Sequence, residues 1–192
     1  MPATAKKVNP VYFPREDTEL LLSRINFQAL AGKKFLDMGT GSGIIGIRAS
    51  NAGAKVTAVD INPEALNEAG KNARREKAKI GFALSDLFSR LKGKFDFIAF
   101  NPPYVPSDKI KWLDTDGGKR GREVLDRFLA EFPTHLNPKG KCFFLQTSLN
   151  GKIKTERLLR KAGMKFGIVG KKKLFFEELL VYEASRKNQS ES

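Results

Sequence analysis

The tetrapeptide Asn101-Pro102-Pro103-Tyr104 combines residue types that can hold a planar nitrogen. Two successive prolines fix the backbone and remove two N–H donors, which leaves carbonyl groups free to accept hydrogen bonds. An amide or aromatic amine nitrogen is a poor nucleophile, because its lone pair is delocalised. We predict that the Asn101 side-chain oxygen and the Pro102 carbonyl accept its two N–H bonds, and that Tyr104 stacks on the planar group.

This arrangement would orient the nitrogen for attack on an activated carbon such as a sulfonium methyl group, with much of the rate coming from positioning. We therefore predict Asn101, Pro102 and Tyr104 as catalytic residues, and these three with Pro103 as the residues that bind the acceptor. The electrophile is already activated, so the reaction requires neither a metal nor a strong base, and we expect no metal site. The alternative is a rigid Asn-Pro turn that only ends a strand.

A glycine-rich loop runs from Asp37 to Gly43, between an apolar strand and a helical segment. Glycines allow a sharp turn and the close approach of a ligand, and a helix N-terminus offers free N–H groups. A dinucleotide site requires G-x-G-x-x-G, but after Gly39 and Gly41 the third glycine would fall on Ile44. Asp37 is unfavourable beside a diphosphate and suits the ammonium group of a methionine moiety. The loop therefore favours S-adenosylmethionine over a dinucleotide.

Acidic residues follow the next two strands of the pattern. Asp60 ends the second strand, where a carboxylate can accept hydrogen bonds from both ribose hydroxyls of a nucleoside, as it does in NAD sites. Asp86 follows the third strand and is expected to accept a hydrogen bond from an adenine amino group. The alternative is an ordinary tight turn with two solvated acids.

These residues are positioned by alternating strand and helix signals, which predict a parallel sheet with helices on both faces. The predicted strands are 33–37, 55–60, 79–84, 95–100, 141–147, 165–169 and 174–183, and the predicted helices are 43–51, 63–75, 122–135 and 152–162. The last two strands lie close together in the chain, so we expect an antiparallel pair. The predicted fold is a seven-stranded, doubly wound, Rossmann-like α/β sheet whose last strand is antiparallel.

The composition fits one domain of 192 residues, with an N-terminal lid or helix segment over 1–30 and a frayed tail over 186–192. No apolar run reaches the roughly 20 residues that span a bilayer, so we expect no membrane contact and a cytoplasmic protein. A single cysteine excludes an internal disulfide. The net charge of +14 is compatible with a nucleic-acid partner, or with solubility alone.

The order of motifs resembles the class I methyltransferases of the HemK type. The segments that carry the resemblance are LDMGTGSG, TAVDINPEAL, SDLF and FIAFNPPYVP, together with YFPREDTELL at 12–21 and GGKRGREVLDRF at 117–128. The last two segments are similar to the short archaeal and eukaryotic branch of that family, which lacks a separate N-terminal helical domain. The resemblance covers nearly the whole chain.

This resemblance implies methylation of the glutamine of the GGQ loop in a class I peptide release factor. It also implies a small zinc-binding activator protein that covers an apolar edge of the enzyme. Tyr12 and Thr18 would close over the cofactor, and Arg15 stands where a small residue is expected. The complete set of implied cofactor-binding residues is Tyr12, Thr18, Asp37, Gly39, Gly41, Asp60, Ile61, Asp86, Leu87 and Asn101.

Two other functions stay open from the residues alone. The same tetrapeptide can hold the exocyclic amine of adenine or guanine, and the net charge suits RNA or DNA, although no separate nucleic-acid-binding domain is visible. A scaffold that binds the cofactor without catalysis is the third hypothesis, against which the intact Asn101 argues.

Several further residues are expected to be structural. Arg122 and Glu123 are interpreted as the start of a helix, His135 as a residue near that helix's end, and Cys142 as a buried strand residue. Trp112 lies in a long loop over 105–119 and is interpreted either as part of a substrate lid or as a packing residue.

Overall fold

The structure, a computed structural model, describes residues 16–104 and 121–187. Its sheet contains seven strands in the order β3-β2-β1-β4-β5-β7-β6. The strands are β1 (Lys34–Met38), β2 (Lys55–Asp60), β3 (Ile80–Leu84), β4 (Phe95–Phe100), β5 (Leu136–Thr147), β6 (Met164–Lys173) and β7 (Glu178–Arg186). Strands β1 to β5 pair in parallel, whereas β7 is antiparallel to both β5 and β6. The predicted doubly wound sheet with an antiparallel last strand is confirmed.

Five α-helices connect or flank these strands in the described residues. They are α1 (Glu16–Leu22), α2 (Ile44–Asn51), α3 (Pro63–Arg75), α4 (Glu123–Glu131) and α5 (Lys152–Lys161). Helix α3 begins as the sequence predicts, because the Asn62 side chain accepts a hydrogen bond from the Glu64 N–H and Pro63 occupies the first helical position. None of these helices is long and apolar enough to cross a membrane.

The sheet has a hydrophobic core on each face. Successive residues of a strand point to opposite faces, so Phe143 and Phe144 of β5 belong to different cores. Leu20 to Leu22 of α1 and Ile45 of α2 pack on one face, while α4 and α5 pack on the other. Helices on both faces bury the central strands β1 and β4. The packing of these strands therefore fixes the positions of the residues at their ends.

Several predicted boundaries differ from the structure. The last two predicted strands, 165–169 and 174–183, are observed as Met164–Lys173 and Glu178–Arg186, so the predicted start of the second lies in the turn between them. Helix α4 ends at Glu131 and continues as a 3-10 turn over Phe132–His135, because Pro133 has no N–H to extend an α-helix. Strand β5 begins at Leu136 rather than at Lys141, since the register with β4 shifts between Phe95 and Phe97 and so accommodates the intervening Asn-Pro-Lys-Gly segment.

The predicted terminal segments are only partly covered by the structure. Helix α1 lies within the predicted 1–30 segment, whose first fifteen residues lie outside the described part. Arg186 was predicted to begin a frayed tail, which is wrong: it is the last residue of β7, and its guanidinium donates to the carbonyls of Leu136 and Pro133. Residues 188–192 lie outside the described part.

Candidate functional site

The predicted site residues meet at the carboxyl edge of the parallel strands. Asp37 lies in β1 beside Ala99 of β4, Asp60 is the last residue of β2, and Asn101 directly follows β4. Because β1 lies between β2 and β4, the glycine-rich loop after β1 is flanked by Asp60 on one side and by Asn101 on the other. Ligands of open α/β sheets bind at such an edge.

Asp37 is fully buried, and only one of its two carboxylate oxygens has a hydrogen-bond partner among the described residues. Its Oδ2 accepts hydrogen bonds from Thr40 Oγ1 at 2.6 Å and from the Gly46 N–H at 2.9 Å, whereas its Oδ1 has no partner among the described residues. Burial raises the pKa of Asp37 to about 7, although the two hydrogen bonds oppose that rise. A buried carboxylate oxygen without a partner is a site for a cation, and the ammonium group predicted from the sequence satisfies it.

The glycine-rich loop presents open space beside this carboxylate. Gly41 has a φ of 52°, a conformation that favours glycine, and no heavy atom lies within 4 Å of a Cβ added there. Its N–H donates to Asp60 Oδ2 at 3.0 Å, and the Asn62 N–H donates to Asp60 Oδ1 at 2.9 Å. The loop and the end of β2 are therefore fixed to each other through the Asp60 carboxylate, whose role toward a ribose stays a prediction. At Gly39 an added Cβ would lie 3.1 Å from the ring of Phe100.

The residues predicted to bind the adenine end lie on the outer part of the same edge. Ile61 is 46% exposed, so its side chain is accessible to a ligand. Leu87 has a φ of 48°, which is rare for a branched residue and often marks a functional loop. Asp86 forms an ion pair with Arg127 at 2.8 Å, so its carboxylate already has a protein partner in this structure. The role of Asp86 toward adenine stays a prediction.

The side-chain amide of Asn101 has one end held and one end available. Its Nδ2 donates to Asp17 Oδ2 and to Thr18 Oγ1, each at 3.2 Å. A carboxylate can only accept, so Asp17 fixes which end of the amide faces α1. The Asn101 Oδ1 is buried and has no partner among the described residues. The side chain therefore presents a free acceptor, as the sequence predicts for a residue that binds an N–H group.

Asp17 is a site residue to which the sequence analysis assigned no role. It is buried, and its Oδ2 also accepts a hydrogen bond from the Tyr104 hydroxyl at 2.9 Å. One carboxylate oxygen therefore positions both Asn101 and Tyr104. The signal was present in the segment YFPREDTELL, but only Tyr12 and Thr18 received roles there, because nothing in the spacing joins Asp17 to residues more than eighty positions away.

A second positioning contact comes from Asn150, which no sequence signal indicated. Its Nδ2 donates to the carbonyls of Tyr104 and Gly121, each at 3.0 Å, and its Oδ1 accepts from the Thr147 N–H at 2.8 Å. Buried Arg122 donates to the Asn150 carbonyl and to Thr155 Oγ1. The C-terminal end of the Asn101–Tyr104 tetrapeptide is thus connected to the end of β5.

The residues expected to be structural fit that interpretation. Arg122 directly precedes α4, and Glu123 is the first residue of that helix. His135 stacks on Phe88 with ring centroids 4.5 Å apart, and Cys142 is buried in β5. Tyr12, Arg15, Trp112 and the 105–119 loop lie outside the described residues.

A model of the methyltransferase small domain family matches residues 16–176. A Methanocaldococcus jannaschii protein, provisionally named a protein N5-glutamine methyltransferase, is 43% identical over 188 residues and covers 94% of each chain. The chain belongs to the methyltransferase small domain family. The mouse methyltransferase HEMK2 is 35% identical, with 80% of this chain and 79% of that protein covered. The resemblance to HemK-type enzymes is confirmed.

A solved structure shows the same architecture in this family. The E. cuniculi Mtq2-Trm112 complex, described as responsible for methylation of the translation termination factor eRF1, matches with a TM-score of 0.76 and 26% identity. The match covers 92% of this chain and 98% of that chain. It supports the prediction that the antiparallel β6–β7 pair completes a Rossmann-like methyltransferase sheet.

This methyltransferase uses S-adenosylmethionine, and the described residues fit that cofactor. The partnerless Asp37 Oδ1 would receive the ammonium group, the open space beside Gly41 would receive the methionine and ribose portion, and Asp60 would bind the ribose hydroxyls. Ile61, whose side chain is exposed, and Leu87, whose φ is positive, would also contact the cofactor. These assignments of individual residues stay predictions.

Proposed function

We propose that this enzyme methylates the side-chain amide nitrogen of a glutamine, the one in the GGQ loop of a class I peptide release factor. Two comparisons support the acceptor: the glutamine in the name of the archaeal relative, and the termination factor named for the Mtq2-Trm112 complex. Action on a release factor would place the protein in the cytoplasm.

The observation that carries the proposal is the free acceptor on Asn101. A glutamine amide carries two N–H bonds, and it meets here a buried side-chain oxygen without a partner, next to the backbone of two prolines. Burial strengthens such a hydrogen bond and makes its absence costly, so a ligand that supplies an N–H group is favoured at this point.

The residues of this chain would act by orientation. When bound, S-adenosylmethionine supplies an activated methyl group. Asn101 Oδ1 and the Pro102 carbonyl would accept the two N–H bonds of the glutamine amide, which turns its lone pair toward the carbon and favours pyramidal nitrogen. Tyr104, held by Asp17, would stack on the amide plane. As the N–C bond forms and the C–S bond breaks, the amide nitrogen becomes strongly acidic and releases its proton to water, so no strong base is required.

A transfer assay tests the proposal. The purified enzyme is incubated with methyl-labelled S-adenosylmethionine and a release factor, with and without a small zinc-binding activator protein. We expect label in the release factor and none in a matched factor whose GGQ glutamine is replaced by alanine. Equal labelling of both factors, or none of either in both conditions, would contradict the proposal.

The comparisons do not favour nucleic acid as the acceptor. The archaeal relative is named for a protein glutamine, and no observation in the described residues favours a nucleobase amine over a glutamine amide. Label recovered in RNA or DNA of a treated extract, and not in protein, would support the nucleobase hypothesis instead.

We propose further that a small zinc-binding activator protein covers the free edge of β3. This strand lies at the end of the sheet, and its Phe82 and Leu84 are 36% and 43% exposed. A partner that adds a strand to such an edge would cover both side chains. Replacing Phe82 and Leu84 by lysine should abolish the complex, whereas Val169→Lys on the opposite edge strand β6 should not. Co-purification measures the outcome, and a complex that survives the double change would contradict this docking edge.

A further inference from the structure

The four most exposed large apolar side chains among the described residues lie in one part of the chain. Phe175 and Phe176 are 91% and 85% exposed, Ile153 is 82% exposed and Leu149 is 61% exposed. These four residues are called the Phe175 surface below. Exposed apolar surface on this scale usually marks an interaction site.

The fold does not require two phenylalanines at their position. The Leu174 N–H donates to the Glu177 carbonyl at 2.8 Å, so Phe175 and Phe176 occupy the tip of the turn between β6 and β7. Turn tips ordinarily carry Gly, Asn, Asp or Pro, each for a conformational reason that phenylalanine does not supply. The two rings contact each other edge to face at 4.6 Å but remain open to solvent.

Hydrogen bonds connect this surface to the catalytic tetrapeptide. The Glu178 N–H, just after the turn, donates to Ser148 Oγ at 3.1 Å, and Leu149 follows Ser148. The next residue is Asn150, whose Nδ2 donates to the Tyr104 carbonyl at 3.0 Å. Since a residue spans at most about 3.5 Å of chain, and the side chains of Ser148 and Asn150 add a few ångströms each, the turn tip lies within about 30 Å of Tyr104. A standard interface of about 800 Å² per partner is about 30 Å across, so it can cover both places.

The surroundings of the Phe175 surface are basic. Residues 148 to 178 contain nine lysines and arginines against three glutamates. Lys171 and Lys173 are exposed on β6 directly before the turn, whereas Lys152 and Lys154 at the start of α5 pair with Glu156 and Asp126. This charge favours a partner that presents carboxylates around an apolar contact.

We propose that the Phe175 surface docks the folded acceptor protein, through an apolar side chain of the acceptor that is bordered by acidic residues. The proposal rests on the proposed function, because it assumes a protein acceptor. Its hydrogen-bonded connection to Tyr104 favours the acceptor over any partner that binds elsewhere. The surface thus supplies affinity for the body of the acceptor, while Asn101 binds the reacting amide.

Kinetics measured with a folded acceptor and with a short peptide from the same sequence test the docking surface. The wild-type enzyme, a double variant with Phe175→Ser and Phe176→Ser, and a control variant with Val169→Ser are assayed with the release factor and with a peptide of its GGQ loop. Truncation of two aromatic contacts at an interface should raise KM for the folded acceptor at least tenfold. We expect the double variant to keep the wild-type kcat and the wild-type activity on the peptide. The Val169→Ser control should keep the wild-type KM for the folded acceptor.

The other outcomes are separable. An unchanged KM in the double variant, while the wild type methylates the acceptor, would overturn the docking surface alone. A parallel loss of peptide activity would also overturn it, since the turn would then support the site itself. A wild-type dimer that the double variant dissociates would assign the surface to a second copy of this chain. If the wild type neither binds nor methylates the release factor, the proposed function falls and the docking surface with it.

Discussion

The two ends of the Asn101 side-chain amide have different environments. The Nδ2 end is bound by Asp17 and Thr18, and this leaves the Oδ1 end in a fixed direction with no partner among the described residues. A free rotor would lose entropy each time an acceptor bound, whereas a held amide has lost it on folding. The residue is therefore preorganised for an N–H group.

Asn101→Ala should lower kcat by about a hundredfold, because it removes an oriented hydrogen-bond acceptor at the reacting nitrogen. S-adenosylmethionine should still bind within a few-fold of the wild-type affinity, since Asn101 is only one of the predicted cofactor contacts and Asp37 and the glycine-rich loop are untouched. Single-turnover transfer and calorimetric titration measure the two quantities separately. Full retained activity would refute the role of Asn101.

Asp37 gives the cofactor site a pH dependence. Its pKa of about 7 in the folded protein lies above the ordinary value of 3.8 because the carboxyl is buried. A raised pKa means that the folded state favours the protonated form. The contribution of Asp37 to folding stability is therefore complete below about pH 4 and is lost as the pH rises through 7. The cofactor's ammonium group needs the ionised form, so its affinity should fall as the pH falls below 7.

Asp37→Asn tests both effects with one variant. An asparagine oxygen can still accept from Thr40 and from the Gly46 N–H, while the buried charge is removed. We expect a higher Tm than wild type at pH 8 without cofactor, and cofactor binding weakened at least tenfold with no change in affinity between pH 6 and 8. Thermal denaturation and titration at the two pH values measure this. A variant that binds as tightly as wild type would exclude a charge interaction at Asp37.

At the scale of elements, helix α1 acts on the tetrapeptide through the Asp17 carboxylate and the Thr18 hydroxyl. Asp17→Ala would leave Asn101 Nδ2 and the Tyr104 hydroxyl without this acceptor. We expect kcat to fall at least tenfold while the cofactor dissociation constant changes less than threefold. A Tm loss of a few degrees should accompany it, because each unsatisfied buried group costs about 1–3 kcal/mol. Asp17→Glu should restore part of kcat, and a fall in cofactor affinity alone would assign Asp17 to the cofactor instead.

The loop between β1 and α2 allows a comparison of two glycines with similar backbones. Gly41 and Gly163 have φ values of 52° and 67°, and in both cases nothing lies within 4 Å of an added Cβ. Alanine should therefore strain each backbone similarly, by about 1–2 kcal/mol. Only at Gly41 would the new methyl group enter the proposed cofactor space. Gly41→Ala should weaken cofactor binding at least tenfold and Gly163→Ala should not, as calorimetry can show, and equal affinities would place the cofactor elsewhere.

The elements that carry the site could largely be predicted from the sequence, but its supporting contacts could not. Period-two and period-3.6 patterns are local, so strands such as β2 and helices such as α3 follow from their own residues. The bond from Tyr104 to Asp17 joins positions 87 apart, and Asn150 contacts Tyr104 from 46 positions away. Such pairs depend on the sheet order, which no local pattern encodes. The start of β5 was misplaced for a related reason, because Asn137-Pro138 is typical of a turn when its neighbour β4 is not considered.

At the scale of the whole molecule, one sheet brings four functions to the same edge. The ends of β1 and β2 would hold the cofactor, the end of β4 would hold the amide, the end of β5 holds the tetrapeptide through Asn150, and the β6–β7 turn extends beyond them. The antiparallel direction of β7 places that turn at the carboxyl edge, since β7 begins opposite Thr147, the last residue of β5. A parallel strand in the same place would have put it at the other end.

The net charge of +14 attracts any acidic partner, and it does not distinguish one nucleic-acid sequence from another. RNA should therefore bind this enzyme at low ionic strength, and its affinity should fall steeply as salt releases bound counterions. Because the proposed acceptor is a glutamine amide, RNA should inhibit transfer to the release factor at low salt without receiving methyl groups. Fluorescence anisotropy with a short RNA, and labelled-methyl counts in the RNA and protein fractions across a salt series, measure the two effects. Label in RNA at any salt concentration would contradict this expectation, because it would show that the amide-binding tetrapeptide also accepts a nucleobase.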